Sequence, residues 1–138
     1  KPAREVPASE PSTTERRSAE APRAIEVATP KGAFDGRWKG KAIFESAKPA
    51  CTTCHPAGLF TNLKMYDVGS RGELDRKDSS FDTPTLIELW RTAPYLHDGS
   101  AATLREVLID RNKKGTHGST SQLKPEEIDA LIEYLLSL

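Results

Sequence analysis

Residues 51–55 read Cys51-Thr-Thr-Cys54-His55 and contain both cysteines of the chain. Thiols spaced this way can each form a thioether with a haem vinyl group, and the adjacent histidine is then placed to bind the iron. C-x-x-C-H is accordingly the attachment signature of a c-type haem. A haem iron with a proximal histidine is a redox centre, tuned by its second axial ligand, nearby hydrogen bonds and burial. Two other chemistries use a C-x-x-C pair. Structural zinc wants four protein ligands, and with no further cysteine the remaining two would be His97 and His117. A redox dithiol expects a surrounding βαβ pattern, which this sequence lacks. A disulfide across two intervening residues would be an odd sole staple for a chain of this length. The expectation is one covalent haem c, held by Cys51 and Cys54, with His55 as its proximal iron ligand.

Such a site needs elements on either side of it. Residues 38–47 read as a short helix ending before Pro49. Gly40 and Phe44 lie four apart on one face of it, so a second helix can approach the glycine while the ring packs beside it. Pro125 suits a first helical position, and Glu126 and Glu127 follow where the helix dipole favours acids. Ile128, Leu131, Ile132, Leu135 and Leu136 then fall on one amphipathic face. Two further helices are expected between these ends. One follows Thr83-Pro84 and carries Leu86, Leu89 and Trp90. The other starts at Thr103, whose hydroxyl and Glu106 make a capping box before Val107 and Leu108. Residues 66–82 are polar and glycine-containing and read as a long surface loop, the kind that tends to be functional or mobile. No internal repeat and no convincing strand stand out.

The chain has 138 residues, enough for one domain with an extension, and 20 basic residues balance 20 acidic ones. No overall field therefore argues for nucleic acid or an anionic membrane as partner. No apolar run is long enough to span a bilayer. The chain begins at Lys1 rather than Met and shows no signal peptide. Because thioether attachment of haem takes place outside the bacterial cytoplasm, the expectation is a periplasmic or otherwise exported protein whose leader has been removed. Residues 1–30 hold five of the ten prolines, many Glu, Ser, Thr and Arg, and no aromatic residue. That composition cannot bury enough apolar surface to offset ordering entropy, so residues 1–33 are read as an extended tether or partner-binding tail. Residues 34–138 are then the mono-haem domain.

The helix with Gly40 and Phe44, the Cys51–His55 motif and the terminal helix over residues 126–138 together resemble the cytochrome c fold. In that family the first and last helices cross near the haem. A sharper resemblance lies in residues 81–108, where Thr92-Ala-Pro-Tyr-Leu-His-Asp-Gly99 is similar to the C-terminal haem domain of bacterial di-haem cytochrome c peroxidases and MauG-like proteins. The resemblance covers roughly residues 38–138 and implies an all-α, cytochrome c-like fold: short helices wrapped around one covalent haem, with an extended N-terminal tail. It also implies that Trp90, Arg91, Tyr95 and His97 line the cofactor. Many of these peroxidases carry Pro-x-Leu-Arg-Asn in the preceding helix. Here the run is Pro84-Thr-Leu-Ile-Glu88, so Ile87 replaces that arginine and Arg91 is the nearest substitute as a partner for a haem propionate. The peroxidases need two haems, and this chain has one attachment motif. The resemblance carries over the domain and not the peroxidase activity.

For the sixth iron ligand the chain offers Met65, His97 and His117. Met65 would raise the potential, but it follows His55 by only ten residues, early for a distal methionine, and lone methionines are commonly gap-filling core residues. His97 belongs to the Pro-Tyr-Leu-His-Asp-Gly turn. His117 stands in a glycine-flanked loop between two expected helices, from about the stretch where the related domains bring their distal ligand, and is the leading candidate. The functional expectation is electron transfer, as a module or subunit of a larger periplasmic redox assembly that residues 1–30 grip. Arg105, Arg111, Lys113 and Lys114 form a local basic cluster able to steer an acidic partner, although an ordinary solvated face looks the same in sequence. The rival is a peroxidase-like haem enzyme with a labile distal site, for which Glu106 or His97 would supply acid–base chemistry.

Overall fold

The computed structural model describes residues 33–138. The tail expected over residues 1–33 lies outside the described residues except for Ala33, which begins the first helix. Two α-helices from opposite ends of the described chain pack on each other: α1 (Ala33–Glu45) and α2 (Pro125–Leu135). α1 begins five residues before the expected Trp38, with Asp35 in its first turn complementing the dipole. The closest approach is at Gly40. A Cβ there would lie 2.7 Å from both the Ala130 carbonyl carbon and Tyr134 Cβ, so only glycine lets the two backbones come this near. Phe44 packs beside it, almost fully buried, with its ring centre 5.5 Å from Tyr134 and 5.9 Å from Phe60. The Gly40/Phe44 face thus receives a second helix as its spacing predicts, and that helix is the last one, as the resemblance to the cytochrome c fold implies.

α2 starts as its sequence implies. Pro125 occupies the first turn, and the Glu127 carboxylate accepts the Lys124 backbone N–H at 2.7 Å. Ile128, Leu131 and Leu135 are buried, whereas Leu136 is exposed. Burying such side chains stabilises the fold by about 1.5–3 kcal/mol each. The core joins Leu131 and Leu135 to Phe44, Leu86, Leu89, Leu104 and Leu108.

The middle of the chain departs from the expected helices. After Pro84 there is only a short 3-10 turn, Leu89–Arg91. The Thr85 hydroxyl accepts the Ile87 N–H at 3.2 Å and donates to the Leu59 carbonyl at 2.7 Å, and Glu88 then turns left-handed (φ 58). A hydroxyl that bonds local backbone competes with helix formation. The helix at Thr103 does form, with the Glu106 N–H on the Thr103 hydroxyl at 3.2 Å. The Glu106 carboxylate reaches back to the Ala102 N–H at 2.9 Å, one residue beyond the Thr103 N–H of the expected capping box. Residues Glu106–Asp110 then widen into a π-helical turn, the Arg111 N–H bonding the Glu106 carbonyl at 2.9 Å. Such turns frequently mark functional sites.

A small antiparallel ladder, β1 (Met65–Tyr66) with β2 (Phe81–Asp82), corrects the expectation of no strand. Two residues a side carry no detectable alternation; tertiary closure of the polar loop produces them. Thr83 reinforces the ladder, its N–H and hydroxyl both bonding the Lys64 carbonyl at 2.9 Å. The described chain is thus mostly helical and turn, with one minimal sheet.

Candidate haem-attachment site

Ala50 enters the attachment turn left-handed (φ 58), and residues Cys51–Thr53 form one 3-10 turn. The N–H groups of Cys54 and His55 both bond the Cys51 carbonyl, at 3.2 and 2.9 Å. Side chains three apart eclipse in a 3-10 turn, so Cys51 and Cys54 stand on one side of it. Burial pushes the Cys51 thiol up to about 11, so it is protonated at neutral pH. Structural zinc needs four protein ligands, and among the described residues no group of three or more His, Cys, Asp or Glu could hold a metal ion.

His55 is buried, with Nδ1 2.8 Å from the Phe60 carbonyl oxygen. A carbonyl only accepts, so Nδ1 carries the proton and Nε2 keeps its lone pair. Burial lowers the His55 pKa against the opposing pull of its backbone hydrogen bonds, which favours this neutral form. Phe60 itself is left-handed (φ 52), a conformation that costs energy outside glycine and aims its carbonyl at the ring.

His117 is brought opposite. Its ring centre lies 6.4 Å from that of His55, with the planes inclined at 43°. Burial first, and then the neighbouring His55, push its pKa down to about 4, and its Nδ1 is buried with no hydrogen-bond partner. An orphaned ring nitrogen is costly unless a group from outside the polypeptide offsets it. A metal–imidazole bond is about 2 Å long and a ring centre lies about 1 Å behind its nitrogen, so two imidazoles on opposite sides of one metal stand about 6 Å apart. The spacing, the neutral rings and the paired thiols fit a haem c with two histidine ligands.

The loop bearing His117 is held by residues that no sequence motif marks. Asn112 is buried, accepts the His117 N–H on Oδ1 at 2.9 Å, and donates from Nδ2 to the His117 and Gly118 carbonyls and the Thr120 hydroxyl. An Asn in Asp-Arg-Asn-Lys-Lys reads as loop surface, yet it lies buried just after the π-helical turn.

Among the described residues no hydrogen bond, ion pair or ring contact links the other expected residues to the histidine pair. Met65 lies on β1, 60% exposed. His97 stacks on Phe81 with ring centres 3.6 Å apart, and its Nε2 is 3.3 Å from Asp75 Oδ2. Trp90 is exposed, and Arg91 is exposed and ion-paired to Glu88. Tyr95 is half-buried, its hydroxyl donating to the Leu89 carbonyl at 3.2 Å. Within the basic cluster, Arg105 is paired to Asp129.

A family model described as RoxA-like, cytochrome c-like matches residues 80–116, which takes in the Thr92–Gly99 turn and Asn112. Hydrazine synthase subunit gamma of Kuenenia stuttgartiensis is 32% identical over a stretch covering 72% of this chain and 40% of that protein. The methylamine utilization protein MauG of Methylorubrum extorquens is 30% identical, over 65% of this chain and 29% of its own length. A solved structure of Kuenenia stuttgartiensis hydrazine synthase superposes with a TM-score of 0.67 at 29% identity, covering 75% of this chain and 46% of that one. The chain thus spans less than half the length of these relatives.

Proposed function

From the premise that this chain carries a cytochrome c-like domain related to hydrazine synthase subunit gamma and MauG, we propose that it binds one haem c and transfers single electrons as a module of a larger exported redox protein or complex. The observation that carries this reading is the buried, neutral pair His55 and His117, facing each other at 6.4 Å. The haem, when bound, supplies an iron that cycles between Fe(III) and Fe(II).

The chain's own residues do the rest. Cys51 and Cys54 anchor the group covalently. His55 offers Nε2 because the Phe60 carbonyl fixes the proton on Nδ1, a partner arrangement that orients a metal-binding imidazole and raises its basicity. His117 would be the second histidine to hold the iron and would keep small ligands from it. Trp90, Arg91, Tyr95 and His97 would help to hold the group, as the resemblance implies. The relation to a named enzyme subunit supports a place in a larger assembly, and among the described residues no helix is long and apolar enough to cross a membrane.

The test is spectroscopic. The haem-loaded chain should be low-spin in both oxidation states, inert to carbon monoxide, free of a methionine–iron charge-transfer band, and reversible in a one-electron titration. High-spin haem that binds carbon monoxide readily would overturn the electron-transfer reading in favour of a ligand-binding catalyst.

A further inference from the structure

We infer that Asn112 is the positioning residue that holds His117 in place for the haem; the inference rests on the proposed His55/His117 pair. His117 stands in a loop with Gly115 (φ +68) and Gly118 (φ +75) on either side. Glycines permit these turns and supply no rigidity. Rigidity comes from one side chain. Asn112 is 4% exposed, and its Oδ1 accepts the backbone N–H of His117 at 2.9 Å. Its Nδ2 lies 3.0 Å from the His117 carbonyl, 2.9 Å from the Gly118 carbonyl and 2.8 Å from Thr120 Oγ1. Three acceptors share two N–H bonds, and the reversed amide would set an oxygen against two carbonyls. The amide therefore has one orientation, and it grips both the N–H and the carbonyl of His117.

The grip is anchored at its far end. The Thr120 hydroxyl donates to the Leu108 carbonyl at 2.5 Å, which uses its proton and leaves it an acceptor for Asn112. Outside the loop, Ser119 N–H bonds the Pro49 carbonyl at 3.2 Å, two residues before Cys51, and the Thr116 hydroxyl bonds the Val68 carbonyl at 3.0 Å. These outer ties fix the loop's flanks, and only Asn112 bonds the backbone of His117 itself among the described residues. A buried, satisfied network of this kind specifies one geometry.

The experiment compares the haem-loaded chain with Asn112→Ala, Thr120→Val and His117→Ala, reading spin state, the carbon-monoxide-reactive fraction of the reduced protein, and thermal stability. His117→Ala should be fully reactive. Asn112→Ala should raise the reactive fraction on the order of tenfold, as loss of hydrogen bonds to one residue implies, and added imidazole should restore the low-spin spectrum. Asn112→Ala that melts earlier yet remains as low-spin and unreactive as the parent overturns the inference and leaves Asn112 with a merely structural role. If Asn112→Ala fails to load haem, Thr120→Val decides: a reactive fraction above the parent supports the clamp, and parental inertness overturns it. A His117→Ala protein with an unchanged spectrum would instead remove the ligand assignment itself.

Discussion

Gly40→Ala separates helix propensity from helix packing, because the two predict opposite signs. In an isolated helix, alanine is favoured over glycine by about 1 kcal/mol. At Gly40 the added methyl would lie 2.7 Å from the Ala130 carbonyl carbon and Tyr134 Cβ, which is 0.7 Å inside ordinary contact at 3.4 Å. The Ala130 neighbour is backbone and cannot rotate aside. α1 and α2 must therefore separate, and a gap of 0.5–1 Å already forfeits roughly a quarter to a half of each dispersion contact along the seam. Phe44 against Tyr134, and Leu131 at 0% exposure, lie in that seam. Overpacking costs about 1–3 kcal/mol, and a backbone neighbour that cannot give places Gly40 in the upper part of that range, about 2–3 kcal/mol, so the net loss after propensity is about 1–2 kcal/mol. For a domain of this size that lowers Tm by roughly 5–15 °C. Gly36→Ala is the internal control on the same helix. Its methyl meets only the carboxylate end of Glu133, an exposed side chain that swings away, so propensity should win and Tm should hold or rise. The assay is thermal unfolding of the haem-loaded proteins followed by far-ultraviolet circular dichroism. A Gly40→Ala protein melting at or above the parent would refute the packing argument.

Three further outcomes are expected. Phe44→Ala, which empties a site 2% exposed between Phe60 and Tyr134, should cost about 3–5 kcal/mol in denaturant titration, and a cost under a third of that would show the site to be loosely packed. Cys51→Ala and Cys54→Ala should each leave one thioether, and the double variant should lose haem on acid–acetone extraction; retention of haem by the double variant would count against covalent attachment. The Lys124 N–H holds the Glu127 carboxyl below its ordinary range, so its contribution is present above the unfolded pKa and is lost as pH falls through the lowered folded value. Glu127→Gln should accordingly lose less stability on acidification than the parent; identical acid limbs would show that this cap has no linked proton.

The chemistry of this chain was legible in its sequence where that chemistry is local. A C-x-x-C-H run determines its own thiol spacing, because one 3-10 turn sets side chains three apart on one side whatever surrounds them. That a second helix packs at Gly40 and Phe44 was legible too, because a glycine beside a ring on one helix face admits a close neighbour; that this neighbour is α2 followed from the resemblance to the cytochrome c fold. The middle segments were not. Residues 84–91 have helical spacing of Leu86, Leu89 and Trp90, yet the Thr85 hydroxyl finds the Leu59 carbonyl and the helix gives way to a short turn. The pairing of Met65–Tyr66 with Phe81–Asp82 has no signature at two residues a side. His117 could be nominated from its loop, but its burial, its 6.4 Å approach to His55 and the Asn112 clamp exist only once the chain is folded. Asn112 is the sharpest case: polar among polar neighbours in sequence, it is buried just after a π-helical turn, where every hydrogen bond of its side chain goes to residues five to eight positions further along. Local spacing determined the cofactor chemistry, and tertiary closure decided which side chain faces it.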